Sequence, residues 1–536
     1  MRPRTGIAAF VTAVGVAGAL AAAGSGAQAS TGHPGDQGTR LIPGDLLVST
    51  STYVDDPGIV AGTTILPPGS GSAGATAIAG GAYPQVFNNV TVDPAFGVTS
   101  KIFLQEITPD GRPAGTIAVP SGDLVTSFSS KSEGALNLSP DGKYVSFVGY
   151  VAKPDTVDVS NANTPGAIDP TNPVTGAYYR AVAQLSANGK FQFTETNAYS
   201  GDNGRAAITA AAGGKEHIYA TGNAGNGSNP QPDGIVLGAG AQVITPSSLP
   251  EAAQRPGAPT PVGSFSVTEL GDKADKVGKD DNFRGLTLYN NVLYYTKGSG
   301  SNGVNTVYFL DTTGKACPNG VGLPAANAPL PATDIASTLT SAGLASNMCV
   351  LSGFPTALAK SATDASDYPF GLWFASPTTL YVADEGSGDN AFANGSYTAA
   401  AASATAGLQK WVYSASAGQW QLAYTLRSGL KLGTPYTVKG YPTGTNSVTS
   451  LPWSPATDGL RNITGKVNPN GTVTIWGVTS TVSGGGDQGA DPNQLVSVTD
   501  KLGATALPAA EQFRTVVAPR YGQVVRGVSF TPGSRR

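Results

Sequence analysis

The sequence predicts an all-β chain that repeats one four-stranded antiparallel sheet around a closed ring. Three observations predict it. Short runs rich in Val, Ile, Leu, Tyr and Phe alternate with turns carrying Gly, Pro, Asn and Asp. One strand–turn–strand phrase returns along the chain, and the two chain ends are complementary parts of that phrase.

The phrase begins at six places: SEGALNLSPDGKYVSFVGY from Ser132, GRAAITAAAGGKEHIYATG from Gly204, FRGLTLYNNVLYYTKG from Phe283, FGLWFASPTTLYVADEG from Phe370, LRNITGKVNPNGTVTIWG from Leu460 and VRGVSFTPG from Val525. In the five internal copies a tight turn and a second strand follow, with turn residues where hairpin geometry wants positive φ or a preset bend. Two further strands complete most sheets: YYRAVAQLSANGKFQFTETN, GIVLGAG with SFSVTEL, NTVYFLDTTG with NMCVLSG, GLQKWVYSASAGQWQLAYTL, and NQLVSVTD with QFRTVVAP. A sheet returning about every 70 to 95 residues is the signature of a β-propeller with inserted loops. The sixth copy has no strands after it, and the N-terminal segment offers GDLLVSTSTY, SKIFLQEITPDG and PAGTIAVP with none before them. Joining the two closes a six-bladed ring without open edges; seven blades remain open if an inserted stretch hides another. A single propeller domain is expected over 44–536.

With the strands of a blade lettered A to D from the axis outward, the A–B turns are short. The B–C connections are long near 52–100, 151–177, 223–233 and 386–407. These emerge on the same face as the D–A connections, so one face is plain and the other carries the loops, where function usually sits.

Residues 1–29 read as a secretory signal peptide: Arg2 and Arg4, an apolar run from Ile7 to Ala23, and the small-x-small Ala27-Gln28-Ala29. A flexible start over 30–43 is expected to precede the domain. Residues 1–29 hold two arginines and no acid, so cleavage takes the formal charge from −3 to −5. That excludes nucleic acid as a partner, because phosphate binding needs a basic face. No later run reaches membrane length, so a secreted or wall-associated monomer is expected. Export makes a disulfide between Cys317 and Cys349 the default, worth about 3 to 4 kcal/mol in the chain-entropy model. With His33 and His217 the only histidines, a histidine-rich metal centre and a Ser-His-Asp scheme have no material.

The starts of the A strands align as Glu133-Gly134, Arg205-Ala206, Arg284-Gly285, Phe370-Gly371, Arg461-Asn462 and Arg526-Gly527. A small or polar second residue fits six strands crowded around an axis. Three residues before four of these starts stand Asp202, Asp281, Asp367 and Asp458. Such Asp-x-x-Arg units can latch blades through turn bonds and ion pairs. Alternatively, Arg205, Arg284, Arg461 and Arg526 gather at the loop-bearing mouth and grip a carboxylate, sulfate or phosphate. Glu133 is the candidate acid or base beside them. Asp384 and Glu385, after a B strand on the same face, are weaker candidates for a second carboxylate or for oxygen ligands to Ca²⁺. No other cofactor is expected. Trp373, Trp411, Trp420 and Trp476 read as core between blades, and Tyr150, Tyr178, Tyr179 and Tyr368 as stacking surfaces near the loops.

The motifs SEGALNLSPDGKYVSFVGY, FRGLTLYNNVLYY, PFGLWFASPTTLYVADEG with GLQKW, and the closing VRGVSFTPG resemble a group of secreted bacterial propellers sometimes labelled surface-layer-like. The resemblance implies the fold and export over most of the chain and brings no catalytic residues. Likeness to six-bladed lactonases is looser: their axial metal site needs acidic and Asn ligands where this chain has arginines. The residues favour an anionic ligand, plausibly an acidic glycan cut by a lyase or hydrolase. The alternatives are a non-catalytic surface or matrix module and a calcium-dependent lactonase or esterase.

Overall fold

The hairpin YNNV shows how local chemistry sets the repeat. Phe283–Tyr289 and Val292–Lys297 pair antiparallel across a two-residue loop. Asn290 and Asn291 both take positive φ (47° and 59°), the conformation whose twist matches the flanking strands and that Asn tolerates best among residues with a Cβ. Gly213 and Gly214 do the same between Gly204–Ala212 and Lys215–Gly222.

The computed structural model describes residues 40–535 except 55–59, 61–62, 64, 67–74, 77–82, 84–97, 169–175, 224–240, 251–281, 300–302, 331–347, 360–366 and 486–487 and the single residues 123, 129, 131, 161, 314, 318 and 448. The signal-peptide reading and Asp281 therefore lie outside the described residues.

Six sheets form a ring of blades. Blade 1 runs, from the axis outward, Gln523–Phe530, Leu46–Thr52, Thr99–Ile107 and Pro113–Ala118. Blade 2 is Asn137–Leu138, Tyr144–Tyr150, Arg180–Ser186 and Phe191–Thr196. Blade 3 shows Gly204–Ala212, Lys215–Gly222 and Ala241–Ile244. Blade 4 is Phe283–Tyr289, Val292–Lys297, Thr306–Leu310 and Met348–Leu351, with Val321–Gly322 parallel at its edge. Blade 5 is Pro369–Ser376, Thr379–Asp384, Gly407–Ser414 and Gln419–Leu426, and blade 6 is Ala456–Val467, Thr472–Val482, Leu495–Lys501 and Arg514–Val517.

Ring closure occurs as the chain ends predict. The C-terminal strand pairs antiparallel with Leu46–Thr52, Val48 standing opposite Val528. Beyond it Thr531 N–H donates to the Asp45 carbonyl (2.9 Å), and Gly44 N–H to Ser534 Oγ (2.8 Å). One expectation shifts. The third strand of blade 3 is Ala241–Ile244, immediately after the GIVLGAG run assigned to it; that run and SFSVTEL lie outside the described residues.

Burial lies between blades. One cluster joins blades 3, 4 and 5 through Phe283, Tyr295, Phe309 and Phe374, and another joins 6, 1 and 2 through Trp476, Phe530, Leu46 and Phe147. Trp411 stacks on Phe354 at 3.9 Å, Trp420 meets Phe374 edge-on at 5.9 Å and Trp476 meets Phe530 at 5.5 Å, so these three tryptophans are core. Half-buried Trp373 covers Gly465 of the next blade. At the axis the crowding is literal: a Cβ on Gly285 would collide with the Phe370 carbonyl of the next A strand. Cys317 and Cys349 form the expected disulfide, Cα to Cα 5.8 Å. Among the described residues no helix is long and apolar enough to cross a membrane.

Candidate functional site

The four arginines at the A-strand starts are all buried, yet they do different jobs. Arg526, on the C-terminal strand of blade 1, turns to the connection that leaves that blade, beginning at Thr126–Ser127, a short strand paired with Thr99–Ser100. Its guanidinium donates to the carbonyls of Ser127 (3.2 Å), Phe128 and Ser130, and its Nε donates to Ser51 Oγ (2.9 Å). A guanidinium spread over carbonyl oxygens is a latch across the closing seam. Arg205 of blade 3 donates to the Asn282 side chain at the start of blade 4, binding neighbouring blades.

Arg284 and Arg461 converge instead. Both reach Glu385, which follows the second strand of blade 5: Arg461 Nε lies 3.1 Å from Oε2 and Arg284 Nε 3.7 Å from Oε1. Arg284 also donates to Ser132 and Ser299. Glu385 is fixed from behind, its N–H donating to the Tyr368 carbonyl (2.9 Å) and its carbonyl accepting from Ser480 Oγ (2.5 Å). These groups wall a cavity of about 270 Å³ at the loop-bearing end of the axis. Tyr368, Asp458 and Gln488 complete the wall, and Asp458 Oδ2 accepts from Gly388 N–H (2.8 Å). Two guanidiniums and two carboxylates share this small space, so their formal charges cancel.

Glu133 sits apart from this cavity. It is buried under blade 2, where Oε2 accepts from Thr126 Oγ1 (2.6 Å) and Ser127 N–H (3.0 Å). Oε1 accepts from the Tyr150 hydroxyl and from Asn203 Nδ2 (3.1 Å). Tyr150 is thereby consumed inside the protein and offers no stacking face, whereas Tyr368 does. Asp384 is also turned inward: it is fully buried, accepting from Tyr368 N–H (2.8 Å) and Gly386 N–H (2.9 Å). Asp202 and Asp367 accept from Asn223 Nδ2 (2.6 Å) and Gln409 Nε2 (3.2 Å), respectively. Of the sequence candidates, the structure brings Arg284, Arg461, Glu385 and Asp458 to one cavity. It places Arg205, Arg526, Glu133, Asp384, Asp202 and Asp367 in the scaffold around it. Gln488, on the 482–495 connection, gave no signal in the sequence because a lone Gln in a Gly-rich loop resembles any solvated turn.

Burial pushes the carboxyl of Asp384 up to about 8 and those of Asp158 and Asp491 up to about 7. Between about 4 and these values each holds a proton in the folded chain that it has released in the unfolded chain. Stability therefore falls as pH rises from about 4 to about 8. Thermal unfolding followed across that window is expected to give its highest midpoint at the acidic end; a midpoint that climbs toward pH 8 contradicts this.

A larger cavity of about 780 Å³ lies at the opposite, plain end of the axis, among Leu138, Leu288, Phe374, Ile463 and Phe530. Tyr289, Lys466 and Arg535 are its ionisable lining residues, and no carboxylate is among them. Among the described residues, one cluster of three metal-type ligands occurs, Asp311 with Cys317 and Cys349, and its sulfurs are in the disulfide.

No family model and no curated protein matches the chain. Among solved structures it is similar to an ulvan lyase, a polysaccharide lyase, at 10% identity over 82% of this chain and 96% of that one, TM-score 0.27. It is also similar to an apocarotenoid oxygenase of Synechocystis, at 8% identity over 82% of this chain and 60% of that one, TM-score 0.22. The chain thus spans less than two thirds of the oxygenase's length. At these scores neither likeness bears on the chemistry of the site.

Proposed function

We propose that the cavity at the loop-bearing end of the axis binds one anionic sugar unit, a uronate at the end of an acidic glycan. The observation that carries this reading is the convergence of Arg284 and Arg461 on one carboxylate, Glu385, inside a cavity the size of a single sugar ring. A ligand carboxylate competes for the forks that Glu385 now occupies, and the half-buried ring of Tyr368 gives a sugar face something to stack on. If bonds are cut, the proton carrier we propose is Glu385, which lines the cavity, in a lyase or a hydrolase. Export fits the same reading, since disulfides persist in oxidising compartments.

A second reading, a non-catalytic module in which the arginines only hold the ring together, is favoured by Arg526 and Arg205, whose donors go to the connection leaving blade 1 and to the start of blade 4. The axial calcium reading ranks below both, because Glu385 and Asp458 already hold donors.

Calorimetric titration with uronate oligosaccharides separates the two. The anionic-sugar reading expects Arg461→Met to weaken binding by about ten- to a hundredfold, the worth of one charge-assisted bond. It also expects the neutral counterpart sugars to bind far less. Equal binding of charged and neutral sugars, or none of either, leaves the module reading. New unsaturated ends formed by wild type and lost in Glu385→Gln would identify a lyase.

A further inference from the structure

Between the third strands of blades 5 and 6 lies a sealed cluster that the axial site does not use. Lys410 Nζ stands 2.9 Å from Asp500 Oδ2, and both side chains are fully buried. The amine also donates to the Tyr424 hydroxyl (3.0 Å) and to the Lys501 carbonyl (2.6 Å). The hydroxyls of Tyr381 and Tyr424 donate to the two oxygens of Asp500, the latter at 2.7 Å. Both rings flank the amine, their centroids 5.7 and 5.2 Å away.

A third ionisable group touches the pair. Glu511 Oε1 accepts from the N–H of Lys501 (3.0 Å), the residue after Asp500; its Oε2 is buried, and its side chain interacts with that of Asp500. Two carboxylates in contact can bond only through a shared proton. Burial, a bond to Asp500 and the Asp500 charge push Glu511 up to about 7. Burial opposes the ionisation of Asp500, but bonds from Glu511, Tyr381, Tyr424 and Lys410 outweigh it and hold that carboxyl below its usual range.

We propose that Lys410 and Asp500 condense into an intramolecular isopeptide bond that ties blade 5 to blade 6, with Glu511 as the proton carrier. The ammonium passes one proton to the carboxylate it touches, and the freed amine attacks Asp500 Cγ. The Tyr381 and Tyr424 hydroxyls stabilise the oxyanion that forms. The Cγ–Nζ bond forms and one Cγ–O bond breaks. The departing oxygen leaves as water, taking a second proton from the former ammonium through Glu511, which ends as it began. An ammonium and a carboxylate become an amide and water, with no oxidant or co-reactant.

Two physical terms drive the step. Holding the reactants in contact is worth an effective concentration on the order of 10⁵ to 10⁸ M. Replacing a fully dehydrated ion pair by a neutral amide also removes the cost of keeping two charges out of water. The bond would act across the seam between blades 5 and 6, away from the ring closure in blade 1.

Mass spectrometry of a tryptic digest of the purified full-length chain tests this directly. The expected result is a branched peptide joining Lys410 to Asp500, lighter by one water than its two linear parts, with no cleavage after Lys410. In Glu511→Gln, verified as folded by circular dichroism, the branched peptide is expected to form about a hundredfold more slowly, the usual loss when a proton carrier is removed. Lys410→Arg should give none. Wild-type protein cut after Lys410, with Asp500 in a linear peptide of full mass, overturns the proposal and leaves an ordinary buried ion pair. Cross-linking at the wild-type rate in Glu511→Gln overturns the role of that residue.

Discussion

A chain ending before Gln523 will lose its cooperative unfolding transition. The deletion removes the innermost strand of blade 1 and reopens the ring at Leu46–Thr52, exposing a long apolar edge. Val524, Val525, Val528 and Phe530 are buried, and at about 1.5 to 3 kcal/mol for each such side chain their loss rivals the 5 to 15 kcal/mol that holds a typical domain together. The Arg526 latch onto the 127–130 carbonyls goes with them. Near-ultraviolet circular dichroism and size-exclusion chromatography should show loss of fixed tertiary structure and association through the free edge. A truncated chain that still melts cooperatively as a monomer would show that closure adds little.

Glu385→Gln will lower the thermal midpoint markedly, and an anion will restore it. The substitution keeps the shape of the side chain but removes the charge that Arg284 and Arg461 share while buried. Breaking one partner of a buried ionic cluster typically costs about 3 to 5 kcal/mol, because the remaining charges stay dehydrated and here repel each other. A ligand that binds only the folded chain stabilises it by about 2.7 kcal/mol at a hundred times its dissociation constant. Galacturonate should therefore raise the midpoint of the variant more than that of wild type, in which Glu385 competes for the site. An unchanged midpoint in Glu385→Gln, or the same response to uronate in both proteins, argues against a shared anion pocket.

Much of the fold was legible because hairpin chemistry is local. Asn290-Asn291 and Gly213-Gly214 supply positive φ in two-residue turns wherever they occur, and the repeated small residue at Gly285, Gly371 and Gly527 reports the crowded axis. Closure was legible because VRGVSFTPG lacks partners that the N-terminal strands provide. The third strand of blade 3 was displaced because GIVLGAG and AQVI are adjacent apolar runs, and neither run shows an alternation that fixes which one pairs.

The site was only partly legible. Repeat position identified the four arginines but said nothing of where each long side chain turns. That depends on what lies beside it in space: bare carbonyls beside Arg526, a carboxylate beside Arg461. Glu133 drew notice by replacing an arginine in the repeat, yet Thr126, Tyr150 and Asn203 draw it away from the cavity. Glu385 drew less, as one of two loop acids, because its significance comes from blades 4 and 6, far away in sequence. The Lys410 cluster was invisible for the same reason, its members lying in separate repeats.

The central claim is that Arg284 and Arg461 form an anion site at the loop-bearing end of the axis. It is tested most directly by diffraction from crystals soaked in galacturonate. The account predicts a sugar in the cavity between Glu385 and Tyr368, its carboxylate within hydrogen-bond reach of both guanidiniums. A cavity holding only water at saturating ligand, with both arginines still on Glu385, contradicts it.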